Sequence, residues 1–328
     1  MNCFVLFAVS IFSKIKNDDI EKPPFLLFPP MFGSVLFGTV TNVPTYHWFC
    51  PKNLQDSWIW QADQYLIYPL TDCMADYLKC GWNYTTNKPD SRNESYIYTV
   101  DIGGDQGIRF MDKGIFGHHY FHSMDDFLND FEQRGFVVRK NLYGAPYDWR
   151  LSPIATDEYY VQVKQIIEQA YENHNKRKVI LFGYSGGCMA IQYFLTRIVD
   201  QAWKDKYIDY QILLAPSTGG SADSLICLWS GVSWFPNADT IPMSDFLLSI
   251  PTMYAHMPNY IVHENFTAVI DPNGKEYSYR QVRELLYEKG KINVTDNRKV
   301  FEYSEKNVME VDYMDPGVDS YIMFNSVI

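Results

Sequence analysis

A chain of 328 residues, 47% hydrophobic and 20% charged, has a globular composition and enough length to bury the core of one elaborated domain. Its net charge of −11, with no run of Lys and Arg long enough to grip phosphates, excludes a nucleic-acid binder. The acidic balance also disfavours electrostatic attachment to anionic membranes at neutral pH, an objection that weakens where carboxylates are partly protonated. Aromatic residues reach 16%, which suits apolar ligands and interfaces as well as a core.

In chain order, residues 1–16 open with the apolar run Phe4-Val5-Leu6-Phe7-Ala8-Val9 and small residues at Ala8, Ser10 and Ser13. The run is too short to span a bilayer and fits a signal peptide, leaving residues 17–328 as the mature domain. Asn-x-Ser/Thr sequons at Asn83, Asn93, Asn265 and Asn293 agree with a secretory route. With Cys3 removed, Cys50, Cys73, Cys80, Cys188 and Cys227 remain, an odd number that requires a free thiol. Cys50 and Cys73 bracket a compact segment and are the best disulfide candidates.

Pro24-Phe25-Leu26-Leu27-Phe28 reads as a buried strand ending in the tight loop Pro29-Pro30-Met31-Phe32-Gly33. Residues 46–80 hold Trp48, Trp58 and Trp60, then an apolar helical stretch through Tyr65 and Met74. Residues 83–95 are polar and predict a surface loop. A helix is expected over Asp125–Gln133 with Ser123 as its cap, then a short strand at Phe136–Val138. Asp157–Asn175 predicts a helix, Val179–Phe182 a buried strand, Met189–Ile198 a helix and Gln211–Pro216 the next strand. This alternation implies βαβ units and a mostly parallel sheet, an α/β fold. Residues 217–262, apolar and broken by Pro236, Pro242, Pro251 and Pro258, suggest an inserted cap or lid. An amphipathic helix over 276–290 and a strand at Tyr321–Phe324 complete the pattern.

Gly183-Tyr184-Ser185-Gly186-Gly187 matches G-x-S-x-G, after a buried strand and at the start of a helix, the context a nucleophile elbow requires. The turn is sharp, so the flanking residues must be small. Ser185 then projects over the sheet edge at a helix N-terminus, whose free N–H groups stabilise a developing oxyanion. One oxyanion donor is the N–H of Gly186. The other belongs to the loop after the first strand, where Pro30 has no N–H. Met31 or Phe32 must donate, and Phe32 is favoured because Gly33 after it allows a tight turn.

Tyr143-Gly144-Ala145-Pro146-Tyr147-Asp148-Trp149-Arg150 and Gln201-Ala202-Trp203-Lys204-Asp205-Lys206-Tyr207-Ile208 resemble two signatures of the lecithin:cholesterol acyltransferase and lysosomal phospholipase A2 family. Tyr120-Phe121-His122, the Cys50–Cys73 segment and the Pro29–Gly33 loop fall in the same order, so the resemblance covers residues 24–328. It implies an α/β-hydrolase fold with a membrane-binding subdomain (46–80) and a cap (217–262). The implied reaction is acyl transfer from a phospholipid, through an acyl-serine, to water, a sterol or another alcohol at a membrane or lipoprotein surface. No cofactor or metal is called for, and the implied setting is secreted or lysosomal.

By the same resemblance Ser185 is the nucleophile, and the amides of Phe32 and Gly186 form the oxyanion hole. Cys50–Cys73 pins the membrane-binding loop, Trp58 and Trp60 face lipid, and Asp148 with Arg150 forms a structural ion pair. Two departures stand out: Pro30 in place of a glycine, and Ala215-Pro216-Ser217-Thr218-Gly219-Gly220, which lacks the family's tryptophan near the acyl site.

In this fold the acid and then the histidine follow the serine. Only His256 and His263 follow Ser185, and Asp223, Asp239 and Asp245 accompany them in the cap-like insert. A triad on a mobile cap is poorly preorganised, so these are not expected to serve. The family's acid and histidine lie beyond the strand that Tyr321–Phe324 resembles, and the sequence stops at Ile328, before both. The expectation is a truncated active enzyme, since nucleophile, signatures and oxyanion loop are kept. The alternatives are an inactive lipid-binding paralogue and a generic carboxylesterase.

Three further features are expected to be structural. His118, His119 and His122 lack the acidic ligand of a zinc site. Asp101–Gly107 is glycine-rich but precedes no helix, as a phosphate cradle would require. Cys188 reads as a packed thiol on the nucleophile helix.

Overall fold

The computed structural model describes residues 22–324 apart from 93, 115–117, 152, 155, 232–239, 289–291 and 293–294. The signal-peptide reading of 1–16, the sequons at Asn93 and Asn293, and Asp239 lie outside the described residues. The first half of the chain contributes β1 (Phe25–Phe28), β2 (Phe37–Val40), β3 (Leu54–Trp58), α1 (Leu70–Leu78), β4 (Cys80–Asn83), β5 (Lys88–Ser91), β6 (Tyr96–Tyr98), α2 (Asp125–Gln133), β7 (Leu142–Gly144) and α3 (Asp157–Asn173). The second half contributes β8 (Val179–Tyr184), α4 (Gly186–Tyr193), α5 (Gln201–Tyr207), β9 (Ile208–Leu214), α6 (Ala222–Ser230), α7 (Thr240–Leu247), α8 (Pro251–Ala255), β10 (Thr267–Ile270), β11 (Glu276–Ser278), α9 (Tyr279–Glu288), α10 (Thr295–Val308) and β12 (Asp319–Met323).

Among the described residues five strands form the central sheet in the order β12-β9-β8-β1-β7, every pair parallel, as the alternation of strands and helices predicts. Its middle strands are continuous apolar runs because both faces are covered. The pleat sorts their side chains. Leu26, Phe28, Val179 and Leu181 enter one core with Val163 and Ile167 of α3 and Met189 of α4. Phe25, Leu27, Ile180 and Phe182 enter the other with Leu128 and Phe131 of α2. Each such fully buried side chain contributes about 1.5–3 kcal/mol, so the middle of the sheet is rigid. Among the described strands β12 lies at the edge of the sheet, with Tyr321 and Ile322 exposed.

Local expectations fail where a side chain finds a distant partner. Ser123 does not cap α2; its hydroxyl donates to Gly33 O at 2.7 Å and ties the loop after β1 to the helix. Phe136–Val138 is no strand, because Val137 N is taken by the Asn141 side chain and the chain turns into β7 instead. The polar segment near residue 85 is a hairpin, β4 against β5, rather than a loop.

The insert at 217–262 is not a loose cap in its described part. Met243, Phe246, Leu247, Ile250, Met253 and Tyr254 are buried in the same core as the sheet. Burial on this scale fixes α8 against the body of the domain.

Candidate active site

The site grows from the end of β8. Ser185 N donates to Leu214 O of β9 at 2.9 Å, and Ser185 O accepts from Cys188 N at 3.0 Å, so strand and helix hold the residue from both sides. Between them the backbone has no room for an ordinary conformation: Ser185 sits at φ 52°, ψ −116°. A non-glycine residue held there costs roughly 1–3 kcal/mol, a strain characteristic of functional turns. The small flanking residues are required as the sequence implies. A Cβ on Gly187 would meet Phe28 O at 2.3 Å, and one on Gly183 would meet Cys188 N at 2.9 Å.

The loop after β1 closes over this elbow. Gly33 N donates to Pro30 O at 2.9 Å, making a tight turn. The Met31 amide lies against the start of α4: a Cβ on Gly186 would lie 2.8 Å from Met31 N. Phe32, at φ 65°, turns its ring toward Trp60 and Trp149, with centroids 5.3 and 4.6 Å away. Its carbonyl accepts from Trp60 Nε1 at 2.8 Å.

The Gly186 position also reveals a residue that sequence reasoning set aside. His256 caps the C-terminal end of α8 and is 5% exposed. Its Nε2 lies 3.1 Å from the Cβ position of Gly186. Its Nδ1 lies 2.8 Å from Thr252 O. Burial pushes the imidazole below its ordinary pKa, so the ring is neutral at neutral pH. His263 stands apart, bonded to Gly219 O at 3.1 Å. Asp245 is exposed and pairs with Lys79, and Asp223 is exposed at the start of α6. The structure brings neither carboxylate to His256.

The sequence model of lecithin:cholesterol acyltransferase matches residues 56–323. The chain belongs to the lecithin:cholesterol acyltransferase family. It is 26% identical over 306 residues to a phosphatidylcholine-sterol acyltransferase of Gallus gallus, covering 93% of this chain and 71% of that one. Two lysosomal phospholipase A and acyltransferases are also similar, at 30% (Canis lupus familiaris) and 31% (Homo sapiens) identity over 64% of this chain. The chain spans about half the length of these two relatives, 51% and 50%.

Several features implied by the family take a definite place. Cys50 and Cys73 are disulfide-bonded, while Cys80, Cys188 and Cys227 are free and buried. The Cys188 thiol is pushed up by burial and points at Leu214 O, as a packed thiol should. Arg150 is fully buried and grips Asp148 with two hydrogen bonds, Nε to Oδ1 at 2.9 Å and Nη2 to Oδ2 at 2.6 Å. Its other contacts, Nη1 to Leu78 O and Nη2 to Ser91 Oγ, tie α1 and β5 to the signature loop.

The lipid-facing assignment needs correction. Trp60 is 0% exposed, locked between Phe32 and Trp149, and Trp58 is half-buried with its Nε1 on Trp60 O. The aromatic ring that this segment does present to solvent is Trp48, 92% exposed, with Tyr46, Ile67 and Tyr68 also exposed.

Among the remaining candidates, Asn265 is exposed, whereas the Asn83 amide bonds Asp90 and the turn of its own hairpin. Asp101 folds its carboxylate back onto Gln106 N, filling the space a phosphate would need. His122, Asp125 and Asp126 bring their ligand atoms within 4.8 Å of one another, but Asp125 is already bound to Arg109.

Proposed function

We propose that this protein is a phospholipid acyl hydrolase or O-acyltransferase working through an acyl-Ser185 intermediate. The observation that carries the reading is the elbow, a serine held at positive φ between a buried strand and the first turn of a helix, in a chain of this family. Ser185 Oγ attacks the ester carbonyl of the phospholipid; as the bond from that carbon to the glycerol oxygen breaks, the hydroxyl proton of Ser185 passes to that oxygen and the neutral lysophospholipid leaves. The carbonyl oxygen takes up negative charge, and the amides of Gly186 and Met31 receive it. The 2.8 Å approach of the Met31 nitrogen to the Cβ position of Gly186 supports Met31, rather than Phe32, as the second donor. Each such donor is worth about 10²–10³ in rate. Water, a sterol or another alcohol then takes the acyl group.

Exposed Trp48, Tyr46, Ile67 and Tyr68 around the disulfide support contact with a membrane or lipoprotein surface, since a large ring leaves water readily at such an interface. The disulfide supports an oxidising compartment, secreted or lysosomal. Glycosylation at Asn265 belongs with that setting.

The test is fluorophosphonate labelling of the folded protein, followed by fatty-acid release from phosphatidylcholine vesicles. Labelling that disappears in Ser185→Ala, with release from vesicles, is the expected result. Labelling with turnover of soluble esters alone would make the protein a generic carboxylesterase. A folded sample that binds vesicles and takes no label would make it an inactive lipid-binding paralogue.

A further inference from the structure

The chemistry at Ser185 gives His256 no proton to carry, yet the fold fixes that ring beside the elbow. Its backbone O accepts from Ser221 N at 2.8 Å, and Thr252 N donates to Arg150 O at 3.2 Å, so the loop after β9 and the signature loop both anchor its turn. Thr252 Oγ1 donates to Met31 Sδ at 3.6 Å, which sets α8 directly against the loop after β1. A carbonyl can only accept, so the contact with Thr252 O places the ring proton on Nδ1 and leaves Nε2 a lone pair. The residue is 5% exposed, and Nε2 is buried with no hydrogen-bond partner among the described residues. It stands 3.1 Å from the Cβ position of Gly186, the point that Met31 N approaches from the other loop.

Ser217 supplies a second such atom. Its N donates to Ser185 O at 3.5 Å, and its hydroxyl is buried and likewise without a partner among the described residues. The loop that carries it touches the turn of His256: a Cβ on Gly220 would meet Met257 O and Pro258 Cα at 2.4 Å. A wholly apolar ligand would leave both polar atoms desolvated and unpaired, which is costly. A hydroxyl would satisfy both, donating a hydrogen bond to Nε2 and accepting one from Ser217 Oγ.

We infer that His256 Nε2 and Ser217 Oγ form a polar subsite for a hydroxyl of the bound lipid, close to the ester carbonyl, and so determine which acyl esters the protein prefers. The inference rests on the reading of the Ser185 elbow as the ester site. His256 accepts a hydrogen bond there and nothing more: the proton stays on the hydroxyl, and activation of Ser185 is not its task. The hydroxyl belongs either to the acyl chain or to the alcohol portion of the ester, and experiment separates the two.

The experiment measures how well inert amides protect Ser185 from fluorophosphonate labelling in the full chain. One pair, the N-ethyl amides of β-hydroxydodecanoic and dodecanoic acid, carries or lacks the hydroxyl on the acyl side. The other pair, dodecanoyl ethanolamide and its methyl ether, carries or caps it on the alcohol side. In the wild type the hydroxylated member of one pair should protect about 5–30-fold better, the worth of a neutral hydrogen bond to a buried acceptor. The pair that shows this preference identifies the source of the hydroxyl. His256→Leu keeps the bulk, removes the acceptor and should make the two members of that pair equal. His256→Gln, which keeps an acceptor, should retain most of the preference, and Ser217→Ala should reduce it. Equal protection within both pairs in the wild type overturns the inference. So does a preference left intact in His256→Leu or, where that variant does not fold, in Ser217→Ala. A wild-type protein that takes no label overturns the Ser185 reading instead, and calorimetric titration with the same amides then reads the subsite on its own, by the same ratios.

Discussion

The imidazole of His256 occupies the side of Gly186 on which any larger residue would project: a Cβ at position 186 would stand 3.1 Å from Nε2. The same Cβ would stand 2.8 Å from the backbone nitrogen of Met31, which cannot swing away as a side chain can. The gap between the elbow and the loop after β1 is thus set by a glycine, and two elements far apart in sequence close on it.

Gly186→Ala should therefore damage the site more than the fold. The methyl group must push the Met31 amide off its line, and loss of one oxyanion donor costs about 10²–10³ in rate. The second-order rate of fluorophosphonate labelling should fall by about that factor, with a small drop in the thermal midpoint. Removing the imidazole as well, in Gly186→Ala with His256→Ala, should not restore labelling, because the nearer obstacle is backbone. Restoration would show that the Met31 contact is irrelevant.

His256 also makes stability depend on pH. Its pKa in the folded protein lies below the ordinary 6.5 because burial penalises the charged ring. The unfolded chain thus takes up a proton that the folded one refuses. The contribution to stability is fully present above about pH 6.5 and is lost as pH falls from there through the folded-state value. Asp312, raised by burial, acts in the opposite direction, so the informative comparison is between the wild type and His256→Leu. Denaturant midpoints measured from pH 7.5 downward should decline less steeply in His256→Leu. Parallel profiles would mean that the imidazole charges freely in the folded state.

What the sequence made legible was local. A buried run, a glycine-flanked serine and a helix start are consecutive in the chain, so the elbow at Ser185 could be read before any fold was known. The parallel sheet was legible for the same reason, since alternation is a local pattern. The partnership of Gly186 with His256 was not, because it joins the end of a strand to a helix end in an insert that composition alone made look mobile. Burial of Met253 and Tyr254 beside that helix end fixes it, and burial is a property of the whole packing. Trp60 failed in the same way. The resemblance assigned it to lipid, but the ring is stacked on Phe32 and meets Trp149 edge-on, contacts between residues far apart in the chain.

The two tryptophans of the disulfide segment should accordingly separate. Trp60→Ala removes a fully buried ring and its bond to Phe32 O, a change that costs about 3–5 kcal/mol. Trp48→Ala removes a ring already in water and should leave the thermal midpoint unchanged, while weakening sedimentation with phosphatidylcholine vesicles. Equal vesicle binding by Trp48→Ala and wild type would sink the lipid-facing role of that ring.

The last contrast concerns charge. Arg150 is buried and its guanidinium is neutralised by Asp148, whereas Arg298 and Glu302 meet on the exposed side of α10 at 3.1 Å. Deleting one partner of a buried pair leaves the other charge uncompensated, at a cost of about 3–5 kcal/mol. Deleting one partner of an exposed pair is commonly beneath measurement, because water and salt already screen it. Asp148→Ala should therefore lower the thermal midpoint by about 5–8 °C in a domain of this size, and Glu302→Gln should leave it within error. The effect of Asp148→Ala should also reach the site. Arg150 O holds Thr252 N, and Thr252 O in turn holds the His256 ring. At a temperature where Asp148→Ala remains folded, fluorophosphonate labelling of Ser185 should be slower than in the wild type. Labelling at the wild-type rate would mean that the signature ion pair supports the fold without reaching the site.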